Sequence, residues 1–228
     1  MEKRAFIIFG GYGNLGSMLA KSLREADHDV LLVGRETQKL ALVAESVGAQ
    51  FYCADCTDFS QMSDSVDLAV DHFGRLDGVV HCISSNLLKP AHLTIEREWF
   101  QTINTNLTSA FACLKYSVKA MHEKGGSIIL TSSVAASVSL PNHEAMSAAK
   151  LGIIGLTRSA AATYARNKIK VNAVTPGPVE NSSTTLRATQ TIVNLLCDPN
   201  SPISGHVFGV DEIAPRPQAA PKKRQLQL

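Results

Sequence analysis

Three residues within a span of eight positions pose the chemical question of this chain: His143, Met146 and Lys150. Spacings of three and four residues place them on one face of a helix. An imidazole titrates near ~6.5 in water, where a general acid works at neutral pH, so His143 is a candidate proton donor. Met146 stands between it and the lysine, and a thioether neither donates nor accepts a proton in catalysis. Pro141 and Asn142 read as a helix start, which puts His143 in the first turn. A helix-end histidine is also the commonplace surface residue, and a methionine there can be plain filler of an irregular gap. Both readings stand.

A second group of residues suggests a nucleotide. Gly11-Tyr12-Gly13-Asn14-Leu15-Gly16 is a G-x-G-x-x-G sequence. It directly follows the apolar run Ala5–Phe9 and opens a helix-patterned segment, the context that gives the motif its meaning. Turns free of side chains let backbone N–H groups approach a pyrophosphate at a helix N-terminus. Further on, Leu32-Val33-Gly34-Arg35 has no acid to grip a ribose 2′-OH. Gly34 leaves room there, and the Arg35 guanidinium can pair with a 2′-phosphate, which favours NADP over NAD. The plain alternative for Arg35 is a solvated loop residue.

The elements that must position these residues follow from the alternation of apolar runs with helical-period segments. Strands are expected at Ala5–Phe9, Val30–Val33, Gln50–Ala54, Gly78–Ile83, Ser127–Thr131, Lys170–Val174 and His206–Val210. Helices are expected at Leu15–Glu25, Gln38–Ser46, Ser60–His72, Glu98–Met121, Pro141–Ala165 and Thr189–Leu196. The Ser- and Thr-rich stretch Glu180–Arg187 reads as a mobile loop. This predicts an α/β fold with a doubly wound parallel sheet in a single domain, residues 1–213. Residues 214–228 carry three prolines and then Lys222-Lys223-Arg224, and read as a disordered basic tail.

Taken together, the motifs resemble those of the short-chain dehydrogenase/reductase family. That family places a serine about a dozen residues before Tyr-x-x-x-Lys; here Ser133 stands thirteen residues before Met146, and Lys150 four after it. Its T-G-x-x-x-G-x-G is similar to Phe9–Gly16, with Gly10 and Gly16 coinciding and Asn14 replacing the middle glycine. Asn tolerates positive φ, so the turn is expected to survive. Asp55-Cys56-Thr57-Asp58 resembles the family's adenine-contacting segment. His81-Cys82-Ile83-Ser84 stands where the family has Asn-Asn-Ala-Gly, and Asn172–Gly177 resembles its N-x-V-x-P-G.

The resemblance implies a Rossmann fold and a catalytic set of Asn106, Ser133 and Lys150, with Met146 in the tyrosine's place and His143 as the replacement acid. Water held by Ser133 and Asn106 is the other proton source it allows. The seven-residue spacing from His143 to Lys150 also resembles that of the superfamily's enoyl reductases. Cofactor contacts are implied at Gly10, Tyr12, Gly13, Asn14, Leu15, Gly16, Arg35, Asp55, Cys56, Cys82, Ile83, Lys150, Pro176 and Val179. The expected function is NADP(H)-dependent hydride transfer to a carbonyl or enone. The rival is a non-catalytic NADP-binding sensor or scaffold. The short interval after Pro176-Gly177 implies an open pocket for a small-molecule or carrier-borne substrate. The family associates through two long helices, here rich in small residues (Ala110, Ala112, Ala148, Ala149, Ala160, Ala161, Ala162), so a homodimer or homotetramer is expected.

Bulk composition narrows the classes further. A net charge of +2 over 228 residues is too mild to make nucleic acid the main partner. No run reaches the ~18 apolar residues that span a bilayer. Five cysteines have no framework spacing, and Cys53-x-x-Cys56 lacks a second pair to complete a zinc set, so no metal is expected. Free thiols point to a reducing compartment, and the apolar run Ala5–Phe9 after Met1-Glu2-Lys3-Arg4 is too brief for a signal-peptide core, so the cytoplasm is expected.

Overall fold

A computed structural model describes residues 2–134, 138, 140–177, 182–198 and 200–210. The basic tail and Val179 lie outside the described residues. The seven apolar runs form seven strands: β1 (Ala5–Phe9), β2 (Asp29–Gly34), β3 (Gln50–Cys53), β4 (Gly78–His81), β5 (Gly126–Thr131), β6 (Ile169–Thr175) and β7 (Val207–Gly209). All pair in parallel, in the order β3-β2-β1-β4-β5-β6-β7. Between them run α1 (Asn14–Glu25), α2 (Thr37–Val47), α3 (Phe59–Phe73), α4 (Glu96–Ile103), α5 (Ser109–Met121), α6 (Glu144–Thr163) and α7 (Ser182–Cys197).

Parallel neighbours need crossovers, and here helices supply them on both faces of the sheet. That is why the strands read as unbroken apolar runs. All five β1 residues are buried. Alternation sends Phe6 and Ile8 to a core shared with Leu19, Leu23 and Ile192, and Ile7 and Phe9 to one shared with Met62, Val66 and Val118. Each such side chain contributes about 1.5–3 kcal/mol by leaving water. The chain winds from β1 out to β3 and returns on the far side of β1 as β4. The loops after β1 and β4 therefore diverge, leaving a crevice at the carboxyl ends of the strands.

The expected helix Glu98–Met121 is instead broken by a π-helical turn, Asn104–Thr108, between α4 and α5. Its polar side chains take up backbone carbonyls: Asn106 Nδ2 donates to Thr102 O at 3.0 Å and Ser109 Oγ to Thr105 O at 2.6 Å. The loop expected over Glu180–Arg187 is also different, since α7 begins at Ser182. Thr184, Thr185 and Thr189 are buried in it. Thr189, already within the expected helix, donates its Oγ1 to Thr185 O at 2.8 Å, which ties the earlier-starting turns to the rest of α7. Of the small residues, Ala110, Ala112, Ala149, Ala160 and Ala161 are buried within the chain, while Ala148 and Ala162 are exposed. No helix among the described residues is long and apolar enough to cross a membrane.

Candidate active site

The turn after β1 is held by backbone. Gly10 N and Gly11 N both donate to Val33 O, at 2.8 and 3.1 Å. Gly10 has φ +83°, and a Cβ there would lie 3.0 Å from the Cys82 carbonyl. A Cβ on Gly16 would lie 2.4 Å from Gly10 O, so only glycine lets α1 start this close to the strand end. Asn14 does not take the positive φ expected of it; it is the first residue of α1, and Gly10 makes the left-handed step. Gly13 is the N-cap, and no side chain caps the helix. The N-terminal dipole of α1 thus faces the crevice.

At the adenosine end a cavity of about 140 Å³ is lined by Gly10, Tyr12, Arg35, Asp55 and Thr105 among others. The space over Gly34 is not empty as expected. The Tyr12 ring fills it, and a Cβ on Gly34 would meet Tyr12 Cε1 at 2.7 Å. Lys39 sits 5.7 Å above that ring and is ion-paired to Glu36 at 2.7 Å. Arg35 is exposed at the cavity wall. Asp55 Oδ1 accepts from Thr57 N and Thr57 Oγ1, at 2.9 and 2.8 Å. Cys56 is buried, and burial pushes its thiol up to about 12, so it stays protonated.

Three of the four catalytic residues expected from sequence come together in a larger cavity of about 510 Å³. Ser133, His143, Met146 and Lys150 line it, with Asn14, Leu15 and Gly16 at one wall and Pro176-Gly177 at another. His143 is the N-cap residue of α6 rather than part of its first turn. Its Nδ1 lies 2.7 Å from Pro141 O, and because a carbonyl only accepts, Nδ1 carries the hydrogen. That leaves Nε2 as the nitrogen that takes up or gives away a proton.

Asn106 does not line that cavity. It is fully buried on the π-helical turn, and its amide is engaged on every side. Oδ1 accepts from Ser84 Oγ at 3.3 Å and Ser85 N at 3.2 Å. Nδ2 donates to Ser85 Oγ at 2.9 Å and, weakly, to Met146 Sδ at 3.7 Å. Sequence reasoning missed Ser85 altogether; the paired serines directly after Ile83 were the available signal.

Lys150 is 1% exposed, and among the described residues its Nζ donates only two long bonds, to Ile83 O at 3.4 Å and Thr131 O at 3.3 Å. Burial pulls its pKa down to about 8. His81, at the end of β4, is buried beside it. Ser109 Oγ spends its hydrogen on Thr105 O, so it accepts from His81 Nε2–H at 2.8 Å. His81 Nδ1 is left without a partner among the described residues. Burial first, and the nearby Lys150 charge second, hold this imidazole neutral, with its pKa down to about 3.

These residues fit a nicotinamide dinucleotide. The turn glycines form a cradle that any Cβ would fill, α1 offers an uncapped N-terminus, and a buried ammonium has only long bonds. Comparison with known proteins agrees. A family model described as Enoyl-(Acyl carrier protein) reductase matches residues 12–194. The chain is 32% identical over 185 residues to the 2,5-dichloro-2,5-cyclohexadiene-1,4-diol dehydrogenase of Sphingobium indicum, covering 78% of this chain and 74% of that protein. It is 32% identical over 192 residues to short-chain dehydrogenase reductase 3c of Arabidopsis thaliana, covering 81% of this chain and 73% of that protein. The solved structure of ElxO with NADP bound superimposes with a TM-score of 0.84 at 27% identity, over 92% of this chain and 98% of that one. The chain belongs to the short-chain dehydrogenase/reductase family of oxidoreductases.

Proposed function

We propose that this protein is an NADP(H)-dependent oxidoreductase acting on a carbonyl or enone, with His143 handling the proton. The observation that carries the reading is the shared cavity in which Ser133, His143 and Lys150 face the N-terminus of α1 and Pro176-Gly177. The nicotinamide, when bound, supplies the hydride. Lys150 holds the ribose hydroxyls, and Ser133 polarises the substrate oxygen. Met146 stands in the family's tyrosine position and supplies no proton. The Asn106 amide is already engaged by Ser84, Ser85 and Met146, which favours His143 over water held by Asn106. With Nδ1–H fixed on Pro141 O, Nε2 is the donor in the reducing direction and the base in the oxidising one.

Arg35 directly after β2, whose closing residues Leu32-Val33-Gly34 include no acid, supports NADP, as does the likeness to a protein solved with NADP bound. The relative that acts on a cyclohexadiene-diol supports a cyclic alcohol or ketone as substrate. Leu88, Val134 and Leu140 give the cavity apolar walls against which such a ring can lie. The cytoplasm is the proposed compartment. The proposed homodimer or homotetramer uses the exposed faces of α5 and α6, where Phe111 and Leu151 are 47% and 51% exposed.

The test is NADPH oxidation by purified protein with cyclic ketones, dicarbonyls, quinones and enones. Turnover above a Lys150→Ala control is the expected result. Tight NADPH binding with no turnover on any of them would overturn the enzymatic reading.

A further inference from the structure

Helix α4 carries a chemical face that the catalytic residues do not use. Arg97 and Gln101 stand four residues apart on one side of α4, and Thr105 follows in the π-helical turn. All three line an open cavity of about 700 Å³ together with Arg35, Asp55 and Glu96. Arg35, Asp55 and Thr105 also line the smaller cavity at the adenosine end, so the two share a wall. The face of α4 therefore runs outward from where an adenosine would lie to Arg97.

Both arginines are exposed, and neither makes an ion pair with a described residue. Lys39, the other cation on this side, is already committed to Glu36 at 2.7 Å. A phosphomonoester carries about −1.5 to −2 charges at neutral pH and three acceptor oxygens. Arg35 alone supplies one positive charge and one guanidinium fork. We infer that Arg97 is a specificity-determining residue that supplies the second cation for the 2′-phosphate, from the α4 side of the cavity it shares with Arg35. This rests on the NADP reading above.

The carboxylates in the cavity sharpen the inference. Asp55 turns Oδ1 to Thr57, while Glu96 faces the same space as Arg97. A free anion meets as many carboxylates as guanidinium groups there. Discrimination must come from a phosphate that the adenosine end has already anchored between the two arginines. A bare phosphate ion gains little.

The experiment measures dissociation constants for NADPH and NADH by fluorescence, and for 2′,5′-ADP by competition, on the wild type, Arg35→Ala, Arg97→Ala and the double variant. Because Arg97 is exposed, its removal leaves the fold intact, which a thermal melt checks. The expected result is that Arg97→Ala weakens NADPH and 2′,5′-ADP by about fivefold to tenfold and leaves NADH unchanged. The double variant should then bind NADPH no better than NADH. If the wild type prefers NADPH, Arg35→Ala loses that preference and Arg97→Ala keeps it, the Arg97 assignment is wrong and the NADP reading stands. Equal weakening of NADPH and NADH by Arg97→Ala also overturns it. A wild type that binds NADH as tightly as NADPH sinks the NADP reading, and the assignment with it.

Discussion

The two ends of the crevice are built from different material. Around Gly10 and the start of α1, the groups that face the crevice are backbone amides, and side chains matter by their absence. Around α6 the groups that line the cavity are individual side chains, His143, Met146 and Lys150 among them. A site made of backbone survives the changes at Phe9 and Asn14, because amides do not depend on residue type. A site made of side chains is rewritten by one substitution. On the function proposed above, the cofactor end depends on backbone geometry, and the proton-handling end on which donor stands there.

The largest effect should come from Lys150, where the two ends meet. Lys150→Met is expected to lower turnover by about 100-fold or more, and to stabilise the fold by about 2 kcal/mol by removing a buried charge. The sign can be checked against pH. The folded-state amine titrates near 8, below its unfolded value near ~10.4, so between these the unfolded chain binds more protons and wild-type stability rises with pH. Lys150→Met should lack that rise. A melting temperature that falls in the variant would break the picture of an ill-partnered lysine.

His143→Gln tests the side-chain end alone. Turnover should fall by about 100-fold while stability moves by less than about 0.5 kcal/mol. Adding Met146→Tyr to His143→Gln should recover about tenfold. No loss in the single variant removes the histidine from the mechanism.

At the backbone end, Gly16→Ala forces a Cβ to within 2.4 Å of Gly10 O. It should cost about 1–3 kcal/mol of stability and at least about tenfold in NADPH affinity. Asn14→Gly should change that affinity by less than about threefold. Comparable losses from the two would mean that side chains matter at this end too.

The smallest effect at neutral pH belongs to His81. Its folded pKa of about 3 lies below the unfolded ~6.5, so the neutral form favours folding above ~6.5 and that stability is lost as pH falls toward 3. The slope approaches ~1.4 kcal/mol per pH unit. Replacement by Asn should flatten urea-unfolding free energies between pH 6 and 4, and an unchanged slope would show that other groups set the acid limit.

Most of the sheet was legible in the sequence because strands buried on both faces leave unbroken apolar runs, and only edges shifted by a residue or two. What escaped reading was decided by hydrogen bonds between distant residues. Ser85 reaches Asn106 across 21 positions, and Tyr12 covers Gly34 from a different loop. Thr184 and Thr185 carry loop-like propensity, yet both are buried in α7, where Thr185 O accepts from Thr189 Oγ1. At the site, the grouping of His143, Met146 and Lys150 was legible from spacing and that of Ser133 from the family resemblance, whereas the fixed tautomer of His143 was visible only in three dimensions.

The π-helical turn at Asn104–Thr108 acts as an angular setting between two rigid rods. One residue corresponds to about 100° of rotation in an α-helix. Deleting a single residue there would leave α5 seated on the sheet and swing α4 by roughly that angle. The face bearing Arg97 would turn away from the end of β2 while every strand stayed in register. On the nucleotide reading proposed above, a one-codon deletion in this turn would move Arg97 away from Arg35 at the expense of the bonds that buried Asn106 makes to Ser84 and Ser85.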